Sequence, residues 1–105
     1  MTTLPEPLLP MQKRFAAMLP KLMQWIIDNG YEFTVGDAYA KVGHRFNSNH
    51  YIRLAIDLNL FKDGHYLQKT SEYKDAGEFW ESIGGAWGGR FDDGNHFSVE
   101  YMGRK

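Results

Sequence analysis

The chain has 105 residues, of which 43% are hydrophobic and 15% aromatic, enough for one domain with a core of its own. Twelve Lys and Arg against thirteen Asp and Glu give a net charge of -1, which argues against nucleic-acid binding, because phosphate binding needs a basic excess. Cys is absent, so a disulfide framework and a thiolate nucleophile are excluded, and any metal must be held by His and carboxylate side chains.

We expect a single domain over residues 1–105, without a membrane span or a secretory signal. No stretch of the sequence approaches the ~20 apolar residues that cross a bilayer. The first ten residues lack the basic and apolar regions of a signal peptide, so we expect synthesis in the cytoplasm. Pro5 and Pro7 predict that residues 1–9 form an extended arm.

The first half of the chain predicts a long helix, a strand and a loop. Apolar residues recur with helical spacing after Pro10. Pro20 is expected to kink that helix or to split it in two, because it removes one backbone hydrogen bond. Gly30 is expected to end the helix in a left-handed conformation. Alternating residues over 31–35 predict a strand, and residues 36–49 predict a loop with at most one helical turn.

The second half predicts strands that surround one more helix. Alternation from Ile52 to Asn59 predicts a second strand, and Lys62-Asp63-Gly64 predicts a turn that folds the chain back as a hairpin. Thr70 or Ser71 is expected to cap a helix with an apolar stripe, made of Ala76, Phe79, Trp80 and Ile83. Residues 96–101 predict the last strand. This order favours an α+β fold, a small antiparallel sheet with helices packed on one side.

Three polar side chains in this pattern suggest a metal site at the sheet. Asp57 lies in an otherwise apolar strand, where an ionised carboxylate is costly unless it is paired or binds a metal. His50 precedes that strand and His96 begins the last one, so the three converge if these strands are neighbours. Two His and one Asp, with a fourth position left to water, form a catalytic zinc site. The alternatives are an Asp57–Arg53 pair and hydrogen-bonded His residues, with 92–95 forming an ordinary turn.

The segments around these residues resemble the VanY-like zinc peptidases, the family of D-Ala-D-Ala carboxypeptidases and L-alanyl-D-glutamate endopeptidases. Ser48-x-His50-x6-Asp57, with Ala55 two residues before the Asp, is similar to the first zinc motif of that family. Asp93-x-x-His96 is similar to the second motif. The resemblance covers roughly residues 22–101. Four flanking segments are similar to the short phage-encoded members: Gly36-Asp37-Ala38-Tyr39, residues 53–61, Phe79-Trp80-Glu81 and Trp87-Gly88-Gly89-Arg90-Phe91.

This resemblance implies a VanY/hedgehog-like peptidase fold with one zinc ion held by His50, Asp57 and His96, and with Asp93 as the catalytic base. The implied reaction is hydrolysis of an L-Ala-D-Glu or D-Ala-D-Ala type bond in the stem peptides of bacterial peptidoglycan. The short phage-type segments imply an endolysin for host lysis. We expect a monomer that reaches the cell wall after release through the inner membrane.

Two positions depart from the pattern of that family. Family members usually carry Gly where this chain has Arg53. They commonly carry an Arg that binds the scissile carbonyl oxygen at the position of Ala40, and Arg45 is the candidate replacement. The missing Arg leaves open a second class of function: a catalytically inactive cell-wall-binding or virion structural module that keeps the peptidase fold. A host wall-remodelling carboxypeptidase is disfavoured, because no signal peptide is seen.

Other aromatic and His side chains are expected to serve the fold or the solvent-exposed surface. Trp80 and Trp87 could line a substrate cleft, but the helical spacing around Trp80 favours a place in the core. His44 and His65 are predicted to be solvated loop residues.

Overall fold

In the computed structural model, which describes residues 7–44 and 48–105, two helices pack on a five-stranded antiparallel sheet. The predicted α+β class is confirmed. Three short 3₁₀ turns cover Asn49–Ile52, Thr70–Tyr73 and Gly88–Phe91. The helices and strands, in chain order, are α1 (Leu8–Asp28), β1 (Glu32–Val35), β2 (Ala55–Lys62), β3 (His65–Tyr66), α2 (Lys74–Ser82), β4 (Ala86–Trp87) and β5 (His96–Ser98).

Strand β2 is the centre of the sheet. The strands follow the order β1-β2-β5-β4, and β3 pairs with β2 through the predicted hairpin. Asp63 and Gly64 at its turn both have positive φ, as the tight turns of two-residue hairpins require. Along β2, Leu58 and Leu60 are fully buried while Asp57 and Asn59 are only half-buried, so the predicted alternation is confirmed.

The core lies between the sheet and the two helices. Helix α1 buries one stripe with helical spacing, namely Met11, Phe15, Met18, Leu22 and Ile26. The ring of Trp80 in α2 makes edge contacts with Phe15 and with Phe97 of β5, at centroid distances of 6.0 and 6.3 Å. The helices therefore cover the face of the sheet that carries Phe97. No helix in the described part of the chain is long and apolar enough to cross a membrane.

Helix α1 differs from its prediction in two ways. It begins at Leu8 rather than at Pro10, because Pro is tolerated in a first helical turn, whose N–H groups have no intrahelical partner. Leu8 and Leu9 are therefore helical and not part of an extended arm, and residues 1–6 lie outside the described residues. Pro20 does not split the helix. It is exposed, as is Ala16 one turn earlier, so water can reach the carbonyl group that lacks a partner. Gly30 has φ +84, as predicted.

Three strand and helix ends also differ from their predictions. Strand β2 begins at Ala55 rather than at Ile52, which belongs to a 3₁₀ turn. The N-cap of α2 is Tyr73, without a side-chain hydrogen bond, and not Thr70 or Ser71. The Glu72 carboxylate accepts a hydrogen bond from the Lys69 N–H at 3.1 Å and so caps the preceding 3₁₀ turn. Strand β5 ends at Ser98. Beyond it the chain turns back through a bridge between Tyr101 and Arg104. The short β4 was not predicted, since two residues carry too little periodicity.

Candidate metal centre

Asp57 and His96 come together through the register of two neighbouring strands. They are directly opposite each other in the β2–β5 pair. The Asp57 N–H donates to the Asp37 carbonyl, away from β5, so Asp57 and His96 form a non-hydrogen-bonded pair, in which facing side chains approach most closely. The next pair, Ile56 and Phe97, is buried on the opposite, core-facing side. The register therefore places a carboxylate and an imidazole side by side on the face away from the core.

His50 reaches the same place from the 3₁₀ turn that precedes β2. The Ser48 hydroxyl accepts a hydrogen bond from the His50 N–H at 3.2 Å and begins the turn. The side chain of Asn49, fully buried, donates to the Val99 carbonyl at 2.7 Å and to the Arg104 carbonyl at 3.2 Å. These bonds join the turn to the chain after β5. They orient the His50 side chain, which is only 1% exposed.

The three predicted ligand side chains lie within contact distance of one another. His50 Nε2 lies 3.0 Å from Asp57 Oδ1 and 3.2 Å from His96 Nδ1, and His96 Nδ1 lies 3.9 Å from Asp57 Oδ1. Ligand atoms at zinc's usual bond lengths in a tetrahedral site lie about 3.3–3.4 Å apart. The triangle of two nitrogens and one oxygen therefore has the size that a tetrahedral zinc site requires.

The protonation of the cluster also suits a metal. Burial, followed by the charge of nearby His50, lowers the pKa of His96 to about 4. The His96 imidazole is therefore neutral near pH 7, which is the form that binds metal ions. The side chain of Asp57 is 18% exposed and offers the carboxylate ligand. Two imidazoles and one carboxylate form a donor set that suits zinc.

Asp93 lies beside this cluster and remains open to solvent. Its Oδ2 is 3.8 Å from His96 Nδ1, and its side chain is 52% exposed. The loop that carries it is held by its backbone: Asp93 N–H donates to the Gly88 carbonyl, and His96 N–H donates to the Asp93 carbonyl, at 2.9 and 3.1 Å. Asp93 therefore stands next to the candidate metal position on a constrained loop.

A cleft of about 230 Å³ opens over the cluster. Asp93 and His96 lie on one part of its wall, with the ring of Phe91 next to them. Trp80 and Trp87 are buried instead, and their indole N–H groups donate to the carbonyls of Ser98 and Gly94. The core position predicted for Trp80 is confirmed.

Two Arg residues of the similar segments, Arg53 and Arg90, have partners other than Asp57. Arg53 does not serve as the partner of Asp57, since its guanidinium lies 4.0 Å from the centre of the Tyr39 ring. Arg90 donates from Nε and Nη2 to both carboxylate oxygens of Glu81, at 3.0 and 2.7 Å. Among the residues that the structure describes, neither Arg53 nor Arg90 lines the cleft. Arg45, the predicted replacement for the family's Arg, lies outside the described residues.

His44 is a member of the site that the sequence pattern did not identify. The prediction that it is a solvated loop residue is wrong: its ring stacks on His50 at a centroid distance of 4.1 Å, and its side chain is 20% exposed. Ring nitrogens of His44 and His50 and a carboxylate oxygen of Asp57 lie within 4.8 Å of one another. The only signal in the sequence was a His six residues before His50 in a Gly-containing loop. His65 is exposed, as predicted.

The part of the chain that carries the candidate site matches a known protein family. The sequence model of a family described as D-alanyl-D-alanine carboxypeptidase matches residues 41–99, more than half of the chain. The matched segment includes all four residues of the candidate site, His50, Asp57, Asp93 and His96. No curated protein sequence matches the chain significantly.

Proposed function

The chain belongs to the D-alanyl-D-alanine carboxypeptidase family, and we propose that it is a zinc peptidase that cleaves the stem peptides of bacterial peptidoglycan. The observation that carries this proposal is the triangle of ligand atoms from His50, Asp57 and His96, with edges of 3.0, 3.2 and 3.9 Å. Three protein ligands leave a fourth position for water, as in other catalytic zinc sites.

The proposed mechanism divides the work between the ligands and Asp93. When bound, zinc lowers the pKa of a water molecule to about 7 and polarises a carbonyl group. The exposed Asp93 carboxylate, 3.8 Å from His96 Nδ1, accepts the proton of the attacking water and delivers it to the leaving amine. The bond from the Asp93 N–H to the Gly88 carbonyl holds its loop, which keeps the carboxylate close to the cluster.

The more specific part of the proposal is a phage endolysin that acts as a monomer on the cell wall and cleaves an L-Ala-D-Glu or D-Ala-D-Ala type bond. The similarity of four flanking segments to short phage-encoded members supports it. These segments include Trp87–Phe91, which covers β4's last residue and the 3₁₀ turn before Asp93. Phe91 of that turn lines the cleft, so this residue of the similar segment lies where a substrate would bind.

The second candidate function is an inactive wall-binding or virion module. Ala40 favours it, because the Ala40 N–H donates to the His50 carbonyl at 3.2 Å. A side chain at position 40 thus begins next to a ligand, and the family's Arg is missing from the site itself. Loss of one oxyanion donor typically lowers kcat by about 10²–10³, which leaves a measurable activity if zinc and Asp93 remain.

Digestion of purified peptidoglycan, followed by mass spectrometry, tests both candidates. The protein loaded with zinc should release new amino groups and muropeptides cut at one stem-peptide bond. Its chelator-treated form and His96→Ala should release none. Retention of the zinc-loaded protein on peptidoglycan without any new amino group would reject the peptidase and support the binding module. The mass of the fragments identifies the bond.

A further inference from the structure

Hydrogen bonds to Tyr51 and Asp37 hold His44 next to the candidate metal ligand His50, on whose ring it stacks. The Tyr51 hydroxyl accepts a hydrogen bond from the His44 N–H and donates one to the His44 carbonyl, both at 2.7 Å. Tyr51 is adjacent to His50 in the 3₁₀ turn. One phenol group thus ties the backbone of His44 at two points to the element that carries a ligand.

The His44 side chain is restrained as well. Its Nε2 lies 2.9 Å from Asp37 Oδ2, and the Asp37 carbonyl accepts from the Asp57 N–H, also at 2.9 Å. Asp37 therefore links His44 to the strand that carries the Asp57 ligand. A carboxylate that receives one N–H of an imidazole leaves the other nitrogen to donate its lone pair, and this arrangement accompanies most metal-binding His residues.

The distances from His44 to the ligand atoms of His50 and Asp57 place it near the metal position but too far away to bind the same ion. His44 and the atoms of His50 and Asp57 lie within 4.8 Å of one another, whereas ligands of one tetrahedral zinc ion lie about 3.3–3.4 Å apart. Closing this gap requires the His44 ring to move against the His50 ring on which it stacks, while its backbone stays tied to Tyr51. Its partial exposure at the cleft leaves room for that movement.

We propose that His44 is an exchangeable fourth ligand to the metal. It binds when the cleft is empty and yields its position to water or to a substrate carbonyl oxygen when substrate enters. This inference rests on the proposed zinc site. It makes the resting site a closed one with three imidazoles and one carboxylate, in contrast to the open position of a site with three protein ligands.

Metal affinity tests this inference without reference to activity. Zn²⁺ binding is measured by competition with a chromophoric chelator for wild type, His44→Ala, His44→Gln and the matched control His65→Ala, an exposed His outside the cluster. We expect the His44 variants to bind Zn²⁺ at least about tenfold more weakly, since even an outer-shell partner contributes that much. His65→Ala should bind as wild type does. Circular dichroism identifies any variant that fails to fold, and His44→Gln preserves a polar contact to Asp37.

The visible spectrum of the Co²⁺-substituted protein provides a second readout. His44→Ala should change the position and intensity of the Co²⁺ bands, because one imidazole is replaced by water, and Tyr51→Phe should shift them in the same direction by loosening His44. Equal Zn²⁺ affinity and an unchanged Co²⁺ spectrum in His44→Ala would reject the inference. Failure of the wild-type protein to bind either metal would instead reject the proposed zinc site.

Discussion

Gly88 and His96 are packed so closely that a Cβ atom on Gly88 would lie 2.6 Å from the Cβ of His96. The same Cβ would lie 2.3 Å from the Asp93 carbonyl oxygen, which is shorter than any ordinary contact. The 3₁₀ turn that begins at Gly88 therefore supports a proposed ligand and the proposed base together. This contact depends on the absence of a side chain, so it can be tested by adding one methyl group.

Gly88→Ala should lower both stability and metal affinity. Overpacking typically costs about 1–3 kcal/mol, and the displaced His96 should weaken zinc binding at least about tenfold. Leu22→Ala is the control, since Leu22 is fully buried in α1, away from the cluster, and its truncation also destabilises the core. It should be destabilised to a similar extent and bind zinc as wild type does. Urea unfolding and chelator competition measure the two effects. Unchanged zinc affinity in Gly88→Ala would contradict this role.

Zinc should co-purify at about one ion per chain and should stabilise the fold. A metal that binds only the native state adds about 2.7 kcal/mol when its free concentration is a hundred times Kd, so chelation should lower Tm. His50→Ala, Asp57→Ala and His96→Ala should each lose zinc, while His65→Ala should keep it. Elemental analysis and thermal unfolding are the measurements. Full zinc content in any of the three ligand variants would remove that residue from the proposed set.

Asp93→Asn should separate chemistry from metal binding. Asp93 is proposed as the base, so its loss should reduce turnover by about 10²–10⁴ while zinc content and Tm stay unchanged. Asp92→Asn is the control: this neighbour is exposed and has φ 59, a conformation that Asn tolerates. Loss of zinc from Asp93→Asn as complete as from His96→Ala would show that Asp93 is a ligand instead.

Asn49→Ala should destabilise the protein through the bonds that hold the His50 turn. The variant leaves the Val99 and Arg104 carbonyl groups without the Asn49 amide, and unsatisfied buried groups cost about 1–3 kcal/mol. Asn29→Ala is the control, because this exposed Asn also donates to a backbone carbonyl, that of Trp25 at 2.8 Å. It should change stability by no more than about 0.5 kcal/mol. Similar losses in urea unfolding would show that burial of Asn49 is unimportant.

Arg53→Gly should be tolerated better than Arg53→Ala. Arg53 has φ 58 and ψ 36, a left-handed conformation that costs a non-Gly residue about 1–2 kcal/mol. The contact of its guanidinium with the Tyr39 ring stabilises the fold by about 0.5–1 kcal/mol. Gly removes both the cost and the contact, so stability should stay close to wild type, whereas Ala keeps the cost and loses the contact. A lower free energy of unfolding for Arg53→Gly than for Arg53→Ala would contradict this explanation. The same backbone cost would explain why members of the similar peptidase family usually have Gly at this position.

The three proposed ligands could be predicted from the sequence because their setting is local. Asp57 interrupts an apolar strand, and the Asp93-x-x-His96 spacing is short enough to be read without knowing the fold. The same holds for Gly30 and for the Asp63-Gly64 turn, where positive φ needs particular residue types. Patterns of this kind depend on a few neighbouring residues, so they can be recognised without any information about packing.

His44 and Asn49 could not be identified in this way, because their roles come from contacts with distant or irregular parts of the chain. Asn49 donates to carbonyl groups 50 and 55 residues away, and a polar residue in a predicted loop gives no sign of complete burial. Loops have no periodicity, so nothing local shows that His44 stacks on His50. The buried position of Trp87 against Gly77 is hidden for the same reason.

The sequence by itself determined the helices, the central strand and the hairpin, and it predicted the residue types of the candidate His-His-Asp site. Hydrophobic period and turn chemistry depend on residues only a few positions apart. The tertiary structure decided that Asp57 faces His96 and that His50 reaches both. A shift of one residue between β2 and β5 would turn one of the two side chains to the core face. That register depends on burying Ile56 and Phe97 against Trp80, a long-range packing choice that no short segment encodes.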